Sequence, residues 1–214
     1  MDSILLSRLV EDGRRYWQMR IAEGANDRGF RIGGLPPKGV KPKTVLESTQ
    51  YFGTFPITGP QGLEEMSLFV SFEYLDVEDP LFITEHIGRA LGPESGAFEC
   101  VFHAPAPRAG RSGLASELQG YAVSVEKESL DVPGAEGGGV PHKIGGIAPL
   151  EYERPSTRKL ADDLLREGYV HLLQWSFPGY GDCDVQGEWA FHNYTLHLYL
   201  KPEGGSYAWR ALLV

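Results

Sequence analysis

The sequence predicts an α+β domain: a mainly antiparallel β-sheet with an internal two-fold repeat and about three helices. Three observations carry that expectation. Glycine occurs 27 times and proline 15 times in 214 residues, a density of turn formers that favours many short strands over long helices. Seven runs rich in β-branched and aromatic residues lie between those turns. A short element also occurs twice, as Arg31-Ile32-Gly33-Gly34-Leu35-Pro36 and, 112 residues later, as Lys143-Ile144-Gly145-Gly146-Ile147 with Pro149.

Taken in order, the elements begin with an amphipathic helix over 3–22. Its apolar positions Leu5, Leu6, Leu9, Val10, Trp17 and Ile21 follow a helical spacing, Asp2 or Ser3 can cap it, and Gly24 follows. Strands are expected at 45–52 and 68–75. A second helix follows Asp79-Pro80, with Ile83, Ile87 and Leu91 on one side and Gly92-Pro93 as its stop. Strands at 98–102 and 121–126 precede 131–141, whose glycines and prolines mark a flexible stretch. A third helix carries Leu160, Ala161, Leu164 and Leu165, with Ser156 as its N-cap and Gly168 as its stop. Strands at 170–177, 194–200 and 207–213 complete the chain. Each Ile-Gly-Gly element is followed by an apolar strand, a Gly-containing turn and an aromatic strand, which defines half-repeats at about 30–110 and 142–214. Neither half buries enough surface to stand alone, so 1–214 is expected to form one domain. Paired glycines at the end of a strand imply positive φ or close backbone approach, so the Ile-Gly-Gly elements are read as structural.

The totals bound the function. No apolar run reaches the roughly 18 residues of a membrane span, and the N-terminus lacks the apolar core of a signal peptide, so a cytoplasmic protein without membrane association is expected. Cys100 and Cys183 are the only cysteines, too few for a disulfide framework, and both are expected as free thiols in a reducing compartment. The net charge of −9 argues against nucleic acid as a partner, because phosphate binding needs an excess of Lys and Arg. That charge is unevenly placed. Residues 1–60 carry a net +3, residues 61–100 a net −8, and the two remaining stretches, 101–140 and 141–214, −2 each.

The motifs that carry chemistry are incomplete. Asp182-Cys183-Asp184-Val185-Gln186-Gly187 opens like a calcium loop, but Gln186 stands where Asp or Asn belongs and Asn193 where a bidentate Glu is required. His192 and His197 are separated by an odd number, which puts them on opposite faces of a strand, while His103, His142 and His171 lie in different segments and meet only through folding. Cys100 sits in an apolar strand, where a thiol is buried and inert. Ser156-Thr157-Arg158-Lys159 has a Ser-x-x-Lys spacing without the partner motifs of that enzyme class, and the glycines at 134–139 neither follow a strand nor open a helix. No cofactor, no metal and no enzymatic activity are expected.

His142-Lys143-Ile144-Gly145-Gly146, Leu172-Leu173-Gln174, Gly187-Glu188-Trp189 and the run 196–200 together resemble the YwqG-like family of bacterial proteins of unknown function. The likeness covers the C-terminal 75 residues. The first half has Ile32-Gly33-Gly34-Leu35-Pro36 without the Trp-Pro and Gln positions of the pattern. The resemblance implies a two-fold repeated β-rich fold and brings no catalytic residues with it.

Charge and composition then point to a non-enzymatic binding protein, in its concrete form an immunity protein that neutralises a cognate basic bacterial toxin domain. The expected contact residues are the acids Glu64, Glu65, Glu73, Asp76, Glu78 and Asp79, joined by Tyr180, Asp182, Asp184, Glu188 and Trp189 in the aromatic loop 176–191. Two alternatives stand beside this reading: a scaffold or ligand-binding protein of the YwqG-like type, and an enzyme whose site is assembled from dispersed residues.

Overall fold

A computed structural model describes residues 4–24, 29–43, 49–59, 62–71, 88–109, 113–116, 118–131, 140–150, 154–176 and 194–214. The expected second helix lies outside these residues except for its end, as do most of the 131–141 stretch and nearly all of the 176–191 loop.

The described residues form one mostly antiparallel sheet of eleven strands. In chain order these are β1 (Ile4–Leu5), β2 (Arg15–Ala22), β3 (Arg31–Ile32), β4 (Thr49–Gly59), β5 (Gly62–Ser71), β6 (Phe98–His103), β7 (Tyr121–Leu130), β8 (His142–Gly145), β9 (Val170–Trp175), β10 (Leu196–Glu203) and β11 (Ser206–Leu213). Two α-helices accompany them, α1 (Leu6–Glu11) and α2 (Pro155–Arg166). The strand order is β11-β10-β9-β8-β2-β7-β3-β4-β5-β6, with β1 pairing parallel to β4 off this path.

The expected N-terminal helix over 3–22 is corrected. Helix forms only over Leu6–Glu11, where Leu6 and Leu9 are buried, and the chain then enters β2. Along β2 the buried residues are Trp17, Met19 and Ile21. That is the two-residue period of a strand, superimposed on the helical spacing of the preceding turn. The last expected helix is present, but its N-cap is Arg154, without a side-chain cap bond, and Pro155 opens the first turn. Ser156 therefore lies inside the helix.

Two four-stranded antiparallel meanders flank the central pair β2 and β7. In the first, Ile32 pairs with Gly53, Gly53 with Leu68, and Leu68 with Cys100. In the second, Ile144 pairs with Leu173, Leu173 with Leu198, and Leu198 with Ala211. The register shifts at corresponding places. Phe52 is passed over between the pairs Tyr51↔Phe69 and Gly53↔Leu68, and Leu172 between His171↔Tyr199 and Leu173↔Leu198. The central strands cross over: Ile32 meets Tyr121 of β7, whereas Ile144 meets Trp17 of β2.

Both Ile-Gly-Gly elements end their strand in the same way. Gly33, Gly34, Gly145 and Gly146 all have φ between 65° and 76°, a region that disfavours residues with a Cβ. A Cβ on Gly33 would stand 2.2 Å from the Gln119 carbonyl oxygen, and one on Gly145 2.5 Å from that of Arg15. The glycines therefore allow the chain to leave the sheet while pressed against its neighbour.

The sheet curls towards closure. Phe102 on β6 and Tyr207 on β11 come from opposite ends of the strand order, yet their rings lie 4.6 Å apart. Leu91 also pairs with Ala211 of β11. Inside the curl, Trp175 meets Phe52 and Phe55 edge-on and stacks on His142. A smaller apolar cluster lies outside, where Ala161 and Leu164 of α2 cover Tyr199 and Leu212.

Candidate functional site

The curl gives each meander an outer face, and both outer faces bury polar groups.

Over β3–β6 most of those groups have partners, although Arg31 Nε and Nη2 make no hydrogen bond. Arg31 is fully buried and faces Glu65, 3.7 Å away, and its Nη1 donates to the Gly29 carbonyl. The Ala106 amide donates to the other Glu65 oxygen. Beside this pair runs a chain of hydroxyls: Tyr51 to Thr54 at 2.6 Å, Thr54 to Ser67 at 2.8 Å, and Ser67 to His103 Nε2 at 2.8 Å. His103 Nδ1 lies 2.8 Å from the Ala104 carbonyl, so in the neutral ring Nδ1 carries the hydrogen and Nε2 accepts. Ser67 then donates to His103, Thr54 to Ser67 and Tyr51 to Thr54. Burial pushes the Tyr51 phenol up to about 12, against the pull of the Arg31 charge. Extended chain from 104 to 109 covers this edge, bonded to Pro36 and Lys38.

Over β8–β11 the equivalent positions hold different groups. Lys143, in the register position of Arg31, is 3% exposed and donates to Asp131 at 2.9 Å and to the Ile147 carbonyl at 2.7 Å. His171 stands where Tyr51 does. Its Nδ1 faces two carbonyls, Gly145 at 3.2 Å and Gly146 at 3.0 Å, which places the hydrogen on Nδ1. Nε2 then accepts from His197 Nδ1 at 3.2 Å. Burial above all, then the Lys143 charge, holds His171 down at about 4. His197 is held well below its ordinary value by burial and by His171. Both rings are neutral at physiological pH.

A cavity of about 430 Å³ opens on this second face, between the sheet, α2 and the turn after Gly145. His171 and Tyr199 contribute to its lining, as do Gly146, Leu150 and Ala161. Arg158 and Asp162, one helical turn apart and both exposed, belong to its rim. Tyr199 is 1% exposed, and its Oη has no hydrogen-bond partner among the described residues. Burial, with the nearby Asp162 carboxylate adding to it, raises the phenol well above its usual value, so it stays protonated.

The expected contact acids separate. Glu64 is half-buried on β5, opposite Ile57. Glu65 is corrected: at 2% exposure it is the internal counterion of Arg31 and takes no part in a presented surface. Period-two alternation within β5 explains the difference, since neighbouring residues point to opposite sides of a sheet. Glu73, Asp76, Glu78, Asp79, Tyr180, Asp182, Asp184, Glu188 and Trp189 lie outside the described residues, as do Cys183 and His192.

Cys100 is buried, and burial pushes its thiol well above the usual value. Among the described residues no group of three or more His, Cys, Asp or Glu is placed to hold a metal ion, and no helix is long and apolar enough to cross a membrane. Sequence reasoning weighed His197 with His192 and put the two on opposite faces; the structure pairs His197 with His171. Only the register shift at Leu172 brings those two rings to one face, and nothing in the spacing announces it. No family model, curated protein or solved structure matches this chain.

Proposed function

We propose that the chain is a non-enzymatic binding protein that presents an acidic surface to a basic protein partner, in concrete form an immunity protein that neutralises a cognate bacterial toxin. The observation that carries this reading is the net −8 concentrated in residues 61–100 of a chain whose total is −9. Glu65 is internal, so the remaining acidic run of that segment begins at Glu64 and continues in sequence through Glu73, Asp76, Glu78 and Asp79. Such a patch accelerates encounter with a cationic partner. The state of the reactive side chains supports binding over chemistry: the Cys100 thiol is buried and protonated, and His171 and His197 are held neutral above all by burial.

The same proposal takes the two meanders as copies of one duplicated unit of the YwqG-like type. The matching succession of pairs and the matching register shifts at Phe52 and Leu172 support it.

The test is co-expression with the polypeptide encoded beside this chain, followed by purification and association kinetics. A complex is expected whose association slows as salt rises. Replacing Glu73, Asp76, Glu78 and Asp79 together by Lys slows association about tenfold or more and weakens its salt dependence. Truncating Trp189 instead speeds dissociation. An intact fold with unchanged association after the fourfold reversal overturns the acidic-surface reading.

A further inference from the structure

Beyond the acidic surface, and independently of it, we infer that the cavity under α2 is a binding site for a small, uncharged, mainly apolar molecule that offers one hydrogen-bonding group to Tyr199. Four observations meet there. The cavity holds about 430 Å³, within the range of sites that take small organic ligands. Its lining is dominated by aliphatic side chains and glycine. Among the described residues, five large apolar side chains are conspicuously exposed, and two of them, Ile147 at 43% and Leu165 at 51%, belong to this one lining. An apolar rim open to water is a feature that a ligand would cover.

The fourth observation is Tyr199. A buried hydroxyl without a partner costs free energy that the fold does not recover. Tyr199 belongs to the cavity lining, and its covered hydroxyl is the one buried side-chain polar atom among the described lining residues without a partner, so a ligand group that reaches it as the ring shifts would satisfy it. The corresponding position in the first meander is Phe69, which carries no polar atom, set against Tyr51 as Tyr199 is set against His171. The remaining polar atoms of the floor are already engaged: His171 Nδ1 by the Gly145 and Gly146 carbonyls, and Nε2 by His197.

Charge decides the ligand class. Among the described residues the lining carries one cation, Arg158, and one anion, Asp162, a turn apart on the same helix and both exposed. Their fields largely cancel in the cavity, and among the described residues the floor has no ionic group free to pair with a ligand's charge. A buried carboxylate or ammonium would lose its hydration without a counterion. A carbonyl or hydroxyl on an aromatic or alicyclic body meets Tyr199 without that cost.

The test is a fluorescence titration of the full chain with N-phenyl-1-naphthylamine, an uncharged apolar probe. Saturable one-to-one binding is expected, with displacement by 2-naphthol and at least tenfold weaker displacement by 2-naphthoate. Gly13 lines the cavity, and a Cβ added there meets nothing within 4 Å, so Gly13→Trp starts from open space at the lining and lowers probe affinity about tenfold or more. Leu165→Glu, at an exposed position, lowers it severalfold and covers the case in which the tryptophan variant fails to fold. Tyr199→Phe leaves probe affinity within about twofold but weakens displacement by 2-naphthol severalfold. Three results would overturn the inference: no saturable probe binding, probe binding unaffected by a folded cavity variant, or naphthoate displacing as well as naphthol.

Discussion

The two meanders set corresponding residues in register and then treat their outer faces in opposite ways. On the first, Arg31 has Glu65, and four side chains from Tyr51 to His103 hand hydrogen bonds along a line that ends on a backbone carbonyl. The chain's own segment 104–109 covers that edge. On the second, Lys143 and the two histidines are equally well held, but Tyr199 is left with an unused hydroxyl beside a cavity of about 430 Å³. One pairing scheme thus supports a face sealed by the chain's own segment, where guanidinium nitrogens of Arg31 lack hydrogen bonds, and an open face where a neutral hydroxyl beside a cavity lacks one. The contrast teaches that buried polar residues at equivalent positions need not share a role: what covers them decides it.

The largest effect should come from unsealing the first face. Glu65→Gln keeps an acceptor for the Ala106 amide but leaves the Arg31 charge buried without a counterion, and removing one partner of a buried pair costs roughly 3–5 kcal/mol. Urea unfolding of the variant measures it. A loss below about 1 kcal/mol, the range of exposed pairs, would show that the first face is not sealed.

The second effect separates the faces by pH. His171 is held at about 4 in the fold against about 6.5 in the unfolded chain. Below 6.5 the unfolded chain takes up a proton that the folded protein refuses. Stability from this group is therefore complete above pH 6.5 and falls as pH drops towards 4, by roughly 3 kcal/mol. His197 acts in the same direction. Tyr51, in the corresponding place on the first face, is raised to about 12 and adds nothing in this range. Unfolding free energies from pH 7 to 4 should show the decline, with its slope between pH 6.5 and 5 reduced in His171→Gln.

Much of this fold was legible in the sequence, and the failures have physical reasons. The strands β6, β9 and β11 begin within one residue of where their apolar runs predict, and Cys100 is buried as its strand implies. The first twenty residues misled because Leu6 and Leu9 belong to a real helical turn, whereas Trp17 and Ile21 happen to continue its spacing from within a strand. Glu65 looked like one more member of an acidic run, since composition does not say which of two neighbouring carboxylates faces inward. Tyr199 was read only as a residue of the strand at 194–200. That its hydroxyl lacks a partner depends on how α2 and the turn after Gly146 cover β9 and β10, and no local pattern encodes that arrangement.

The smallest expected effect is also the most direct test of the contrast between the faces. If the Tyr199 hydroxyl serves a ligand and not the fold, Tyr199→Phe should leave the urea unfolding free energy of the unliganded protein within about 0.5 kcal/mol of the wild type, or raise it, because the variant removes a buried group that has no partner. A loss above about 1 kcal/mol, the net worth of a hydrogen bond made inside the fold, would mean that Tyr199 is satisfied internally and that the second face is as closed as the first.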